Sequence, residues 1–395
     1  MADPATPEPK GPSRLLHDRR WRAVIAQAAA FALVAALLAC AGLNMARNLE
    51  RAGIASGFGF LDQVAGFEIS QTLIEYSRAS TYARAFWVGL LNTLAVSAVC
   101  IAASTVLGFL LGLLRLSPNW LAARLAGVYV EVVRNVPLLL QILFWYIAVL
   151  NPLPPPRQAL DLGGVAYLCN RGLVLPWPQW ERGGLAVGLA LAAGLALAWG
   201  FAAWARRRRV RTGRSLPVWR LGALLAALPP ALAWALADAR VEWSIPALSG
   251  FNFRGGGTVE PEFIALALAL TLYTAGFIAE NVRAGIQAVP RGQIEAAASL
   301  GLRPWRVMRL VVVPQAMRVI IPPLTSQHMT LVKNSSLAVV IGYPDLMSVF
   351  AGTTLNQTGQ AVEIIAITML VYLAVSIVIS LIMNWYNDAM ALKGR

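Results

Sequence analysis

The chain has 395 residues, 58% hydrophobic and only 13% charged, with a mean hydropathy of +0.61, a balance that excludes a soluble domain and indicates a polytopic membrane protein. Its net charge of +14 does not point to nucleic acid, because the arginine clusters alternate with apolar spans as orientation by positive inside loops requires. Two His and three scattered Cys are too few for a metal site or a disulfide framework, and the polar loops hold no nucleophile or acid/base cluster, so no metal, no catalytic residue and no enzyme activity are expected.

Residues 1–20 are Pro-rich and then basic (Arg14, Arg19, Arg20), which reads as a disordered cytoplasmic tail. Residues 21–85 add one N-terminal span, about Trp21 to Met45, and an outside loop. That span is long enough to cross a ~30 Å hydrocarbon layer at ~1.5 Å per residue. Leu37-Leu38-Ala39-Cys40 looks like a lipoprotein cleavage box, but the apolar run is too long and more spans follow, so an uncleaved anchor is expected. The loop 46–84 mixes Arg with Glu and Asp and contains Gly57-Phe58-Gly59-Phe60.

Residues 86–150 hold a second span, Phe86 to Leu114, with Asn92, Thr93, Ser97 and Gly108-x-x-x-Gly112. Small residues at that spacing predict a close helix contact. The next apolar region is too long for one perpendicular crossing. It reads as an amphipathic approach helix over 117–133 and a crossing from Val136 to Leu150. Glu131 and Arg134 stand near its inner end, either as a local ion pair or as part of a gate, since charges at membrane depth are costly.

Residues 151–261 open with Asn151-Pro-Leu-Pro-Pro-Pro and an outside loop to Arg182 that exposes the lone Cys169. Two spans follow, Gly183–Trp204 and Trp219–Ala237, the second bent at Pro229-Pro230. Arg206–Arg209, Arg211 and Arg214 between them form a basic clamp on the inside. Neither span carries a polar residue suited to a substrate, so both are expected at the periphery.

Residues 262–388 begin with a span from Glu262 to Arg283. A polar stretch follows, Gly292-Gln-Ile-Glu295-Ala296-Ala297-Ala-Ser-Leu-Gly301-Leu-Arg303-Pro304-Trp305-Arg306-Val-Met-Arg309, closing at Val313-Pro314. Glu295 to Leu300 is Ala-rich and helix-forming, Gly301 suits the left-handed position that ends a helix, and Pro304 suits the first position of the next. Val307, Leu310, Val311 and Val313 form its apolar side. A basic loop held inside by charge alone would not need the Gly301/Pro304 punctuation, nor the small Ala296 and Ala297 that let another surface approach. Span seven, about Pro314 to Lys333, is broken at Pro322-Pro323; a Ser-, Gly- and Thr-rich turn covers Asn334 to Gln360; span eight runs from Ala361 to Tyr386. Residues 389–395 are a second inside tail, which gives eight spans.

The spacing of Glu295-Ala296-Ala297, Gly301 and Val311-Val312-Val313-Pro314 resembles the Glu-Ala-Ala cytoplasmic loop of bacterial ABC-importer permeases. Tyr273, Glu280, Arg283, Gly292-Gln293, Pro314-Gln315-Ala316, Pro322-Pro323, Lys333-Asn334-Ser335-Ser336-Leu337 and Val130-Glu131 through Arg134, Pro137 and Gln141 extend the likeness to the polar amino-acid uptake branch, over 86–150 and 262–388. Val replaces the Ile and Leu of the usual loop ending. The insertion at 151–261 resembles the long glutamate, glutamine, aspartate and general L-amino-acid type.

The resemblance implies an all-α type I importer core of about eight transmembrane helices with extra peripheral ones. It implies a bacterial inner-membrane protein, both termini cytoplasmic, that translocates polar or acidic L-amino acids. Loop 284–313 would dock an ABC ATPase through Glu295, Ala296, Ala297, Gly301, Arg303 and Arg306. Other expected partners are a second permease subunit, a periplasmic amino-acid-binding protein and membrane lipids. No Gly-x-x-x-x-Gly-Lys-Ser/Thr phosphate loop occurs, so ATP and Mg belong to a separate ATPase chain and no cofactor binds here. Span-embedded polar groups make a candidate substrate path: Arg134, Gln141, Tyr273, Glu280, Lys333 and Asn334. An ion-coupled secondary transporter is the alternative, but it calls for a coupling-ion site and internal repeats, and the sequence offers neither.

Overall fold

The computed structural model describes residues 19–51, 57–212 and 216–390. Most of the two expected tails, and residues 213–215 of the basic turn, lie outside these. Arg19 and Arg20 already belong to helix α1 (Arg19–Arg51), so the helix also takes the first residues assigned to the loop 46–84.

The centre of the molecule is α2 (Tyr82–Leu114) packed along α7 (Pro261–Gln287). Glycine makes that contact possible. A Cβ on Gly108 would stand 2.6 Å from the Ile278 Cβ, and one on Gly112 would stand 2.7 Å from the Val282 Cβ. The Gly-x-x-x-Gly motif therefore sits against β-branched residues, and the absent methyl groups set the helix spacing. At 33 residues α2 is about 50 Å long, more than a bilayer's hydrocarbon layer, so one end projects beyond it.

The approach helix is α3 (Trp120–Asn135). The crossing is α4 (Leu138–Leu143), continued by a π-helical stretch, Phe144–Leu150. The two are bent by 105° at Val136-Pro137, where proline restricts the residue before it to extended backbone. With this bent pair counted as one crossing, the described residues contain eight helical elements long and apolar enough to span a membrane.

The segment read as an outside loop after Asn151 is instead built from short strands. Strands β1 (Leu160–Asp161), β2 (Tyr167–Cys169), β3 (Gly172–Leu175) and β8 (Gly257–Val259) form one antiparallel sheet. β4 (Trp177–Arg182) pairs with β5 (Arg240–Ser244), and β6 (Ala247–Ser249) with β7 (Asn252–Arg254). Cys169, the last residue of β2, is 1% exposed, so the expectation that it lies open in a loop is corrected.

Between β4 and β5 rise α5 (Gly184–Thr212) and α6 (Val218–Leu236), packed mainly on each other. No residue of α6 is buried. Pro229 and Pro230 sit within one helix.

After α7 come α8 (Arg291–Ser299), α9 (Pro304–Val307), a π turn at Met308–Val312 and α10 (Val313–Asn334). The last three run on as one element, and Pro322-Pro323 lies inside α10 rather than breaking it. The prolines only remove two amide donors facing the carbonyls four residues earlier. The expected turn 334–360 is also helical for most of its length: a 3-10 stretch Ser335–Ile341, left-handed Gly342 (φ 76°), a π-helical stretch Met347–Thr354 and α11 (Leu355–Thr358). Its Tyr343, Leu346 and Phe350 are fully buried, because the apolar residues outnumber what a solvated turn would expose. The chain closes with α12 (Ala361–Met390), which also takes the first residues of the expected tail.

Candidate functional site

At the far end of α7 from the strands, α8 and α9 follow one another as two short helices. Gly301 ends α8 with φ +73°, a conformation that a Cβ resists, and no atom lies within 4 Å of where that Cβ would sit. Pro304 then starts α9, and the Arg303 carbonyl accepts the Arg306 amide at 2.8 Å. The pair rests on the core through Ala297 and Val307, joined by Val289, Val312 and Ala316.

The sequence predicts that Ala297 faces a partner; it is instead turned inward, against its own chain, where its small side chain sets the seat of α8. Ala296, Glu295, Arg303 and Arg306 are exposed. The apolar side is also re-dealt. The π turn adds one residue to the turn, so Val312 points in while Leu310 and Val313 point out. The large apolar residues left most uncovered on this polar element are Leu300, at 82%, and Trp305, at 68% exposed. Arg309 stacks its guanidinium 5.8 Å from the Trp305 ring. Among the described residues Arg303, Arg306 and Arg309 have no carboxylate partner.

Beside this end of the core, Glu280 of α7 is held by two guanidiniums, Arg115 just after α2 and Arg283 one turn on. Arg283 also donates to Gln287 Oε1 at 2.6 Å. The sequence places Glu280 with the candidate path. The structure makes it a tie between α2 and α7, since both its oxygens are already occupied.

The other path candidates fall into two groups. In the first, Gln141 Nε2 donates to the carbonyls of Val133 and Val136, each at 3.0 Å, and so holds the sharp break between α3 and α4. Arg134 is exposed and lies 5.1 Å from the Phe277 ring, which packs on Tyr273 at 5.0 Å. Arg134 thus caps an aromatic pair on α7 and makes no ion pair with Glu131. The second group is Lys333 and Asn334 at the end of α10. Lys333 is exposed and, with Ser336, opens into a largely apolar groove of about 500 Å³ between α10 and α12 that Tyr372 and Ser376 also line. The two groups lie on different elements and are not joined by any hydrogen bond among the described residues.

Two features escaped the sequence reading. Asp345 is fully buried; its Oδ1 accepts the Ser348 amide at 2.8 Å and its Oδ2 accepts the Tyr372 hydroxyl at 3.3 Å. Burial pushes its carboxyl up to about 6, against the pull of those donors. Asp345 followed three residues on by Ser348, ahead of an apolar run, is a helix-start signal that was available. Around it, Asn92 Nδ2 donates to the Pro344 carbonyl at 2.9 Å, Thr93 Oγ1 accepts the Leu346 amide at 2.9 Å and the Tyr343 hydroxyl donates to the Asn92 carbonyl at 3.2 Å. The second feature is His328, buried on α10, with Nε2 3.0 Å from Thr105 Oγ1 of α2. Nothing in its local sequence marks that partner, 223 positions away.

Comparison with known proteins agrees with this architecture. Residues 222–393 match the family model described as binding-protein-dependent transport system inner membrane component. The chain is 54% identical to the putative amino-acid ABC transporter permease protein YhdX of Escherichia coli K12, over 89% of this chain and 90% of that one. It is 50% identical to the general L-amino acid transport system permease protein AapQ of Rhizobium johnstonii, over 96% and 95%. With the glutamate/glutamine/aspartate/asparagine transport system permease protein BztB of Rhodobacter capsulatus the identity is 42%, over 97% of each. The chain belongs to the amino-acid ABC transporter permeases, within the family of binding-protein-dependent inner-membrane transport components.

Proposed function

We propose that this chain, paired with a second permease subunit, forms the route by which polar or acidic L-amino acids, such as glutamate, glutamine, aspartate or asparagine, are imported. A periplasmic binding protein delivers the substrate on the strand-bearing side, and an ABC ATPase dimer that holds ATP and Mg drives the cycle from the opposite side. The chain lies in the bacterial inner membrane with both termini in the cytoplasm. The observation that carries the docking role is α8–α9: Ala297 and Val307 seat it on the core, while Leu300 and Trp305 stay uncovered. Exposed apolar residues of that size, ringed by unpaired arginines, mark a protein-binding surface.

Closure of the ATPase dimer would push on α9, and the helix that continues from it through α10 would carry the push to Lys333 and Asn334. The substrate's carboxylate and ammonium need polar partners in an apolar surround, and Lys333 meets that need for the carboxylate. The names of the relatives AapQ and BztB support the substrate class.

The test is uptake of radiolabelled glutamate, glutamine, leucine and lysine into proteoliposomes holding this chain, its partner permease, ATPase and binding protein. Uptake is expected only with ATP inside the ATPase-facing compartment, and strongest for the acidic and amide substrates. Uptake driven by a proton gradient without ATP would overturn the reading.

A further inference from the structure

The α5–α6 hairpin carries a basic cluster that the transport role does not use. From Gly183 to Ala237 the sequence has no Asp or Glu, yet it carries Arg206, Arg207, Arg208, Arg209, Arg211, Arg214 and Arg220; of these, Arg207, Arg208 and Arg209 are exposed near the end of α5 and Arg220 near the start of α6. The hairpin packs mainly on itself, and among the described residues none of the ion pairs involves Arg207, Arg208 or Arg220. Leu185, Leu189, Leu195 and Leu197 are more than half exposed along α5, as befits a surface facing lipid.

The end in question has shape as well as charge. Trp204, Arg207, Arg208 and Thr212 line a cavity of about 410 Å³ at the end of α5. Arg208 lies 5.3 Å from the Trp204 ring, and Arg220, across the turn, lies 5.1 Å from the Trp219 ring. Trp204 and Trp219 are exposed at the level where each helix leaves its apolar stretch, the level at which indoles sit among lipid headgroups. α5 and α7 both start from the strand layer, since β8 immediately precedes α7 and β4 immediately precedes α5. Their far ends therefore share a side, which puts this cavity in the same leaflet plane as the α8–α9 pair.

We propose that Arg207 and Arg208, with the Trp204 ring, hold the phosphate headgroup of an acidic glycerophospholipid; the Thr212 hydroxyl donates to the Arg208 carbonyl at 2.9 Å and fixes the end of α5 beside them. A guanidinium fork matches a phosphate in two-point geometry, an indole covers the glycerol region, and clustered basic residues next to a span favour anionic lipid. The generic effect of positive inside loops would orient the hairpin without any such selectivity.

Native mass spectrometry of the full chain in detergent, titrated with phosphatidylglycerol or phosphatidylcholine, separates the two. The expected result is retention of phosphatidylglycerol over phosphatidylcholine by about tenfold, falling to near parity in Arg207→Gln/Arg208→Gln. Removing the arginines could disturb insertion, so Arg207→Lys/Arg208→Lys keeps the charge while losing the fork; it is expected to lose about threefold of the preference. Arg182→Gln/Arg240→Gln, at the strand end of the same hairpin, should change nothing. Equal retention of both lipids by the unaltered chain, or full preference in the Gln variant, overturns the proposal. Displacement of phosphatidylglycerol by millimolar inorganic phosphate would reassign the cavity to a soluble anion and overturn the lipid assignment.

Discussion

Gly112 of α2 faces Val282 of α7 so closely that a methyl group there would stand 2.7 Å from the Val282 Cβ and 2.9 Å from the Ala279 carbonyl oxygen. The backbone oxygen cannot move aside as a side-chain tip could, so the two helices must part. Gly112→Ala is expected to cost about 1–3 kcal/mol and Gly112→Leu to prevent stable assembly. Thermal unfolding in detergent checks this. A Gly112→Leu protein as stable as the parent would show that α2 and α7 do not meet as described.

Gly301→Asp should abolish uptake and weaken ATPase retention while the permease still inserts. Asp tolerates the left-handed backbone better than most residues with a Cβ, so the main effect is the new carboxylate, which would project toward the partner. Arg306→Ala should be far milder, because an exposed ion pair contributes only about 0–1 kcal/mol. Copurification of the ATPase with each variant decides between them. Normal binding by Gly301→Asp, or greater damage from Arg306→Ala, would refute the docking joint.

Lys333→Met should lower uptake about tenfold or more, the loss of roughly 1.4 kcal/mol or more of interaction with a carboxylate, without loss of assembled complex. Lys333 is exposed in its groove and has no carboxylate partner of its own among the described residues. Gln141→Ala should instead lower thermal stability, since it releases two backbone carbonyls at the α3–α4 break. Unchanged uptake of several amino acids by Lys333→Met removes it from the path.

The orientation can be read with cysteines placed on exposed residues of a Cys40→Ser chain, because Cys169 is covered and Cys40 is itself exposed. Ser249→Cys in the β6–β7 hairpin should react with a membrane-impermeant maleimide in intact spheroplasts, and Gln293→Cys in α8 only after the membrane is opened. The reverse pattern would invert the topology.

Asp345 supplies a pH dependence. Its carboxyl lies near 6 in the folded protein and at about 3.9 when unfolded, so between these values the folded state holds the extra proton. Its contribution is complete below about 4 and is lost as pH rises through 6. Asp345→Asn keeps an oxygen for the Ser348 amide and avoids the buried charge. The variant should be more stable than the parent by up to about 2–3 kcal/mol at pH 7.5, and no more stable at pH 4. A pH-independent difference would refute the assignment.

The sequence by itself determined the spans, the Gly-x-x-x-Gly contact and the α8–Gly301–Pro304–α9 punctuation. Each depends on residues within one or two turns of each other: apolar length, small size at four-residue spacing, and the φ preferences of glycine and proline. Tertiary structure alone decided which side of α8 and α9 faces the core, because one π turn changed the register after Met308 and turned Val312 inward. It also decided that Glu280 ties α2 to α7 through Arg115, some 165 positions away, and that Asp345 is buried against Tyr372 and beside Asn92 and Thr93. Partners brought together across such separations leave no periodic trace in the chain, since burial and charge pairing are settled by which helices come to lie side by side.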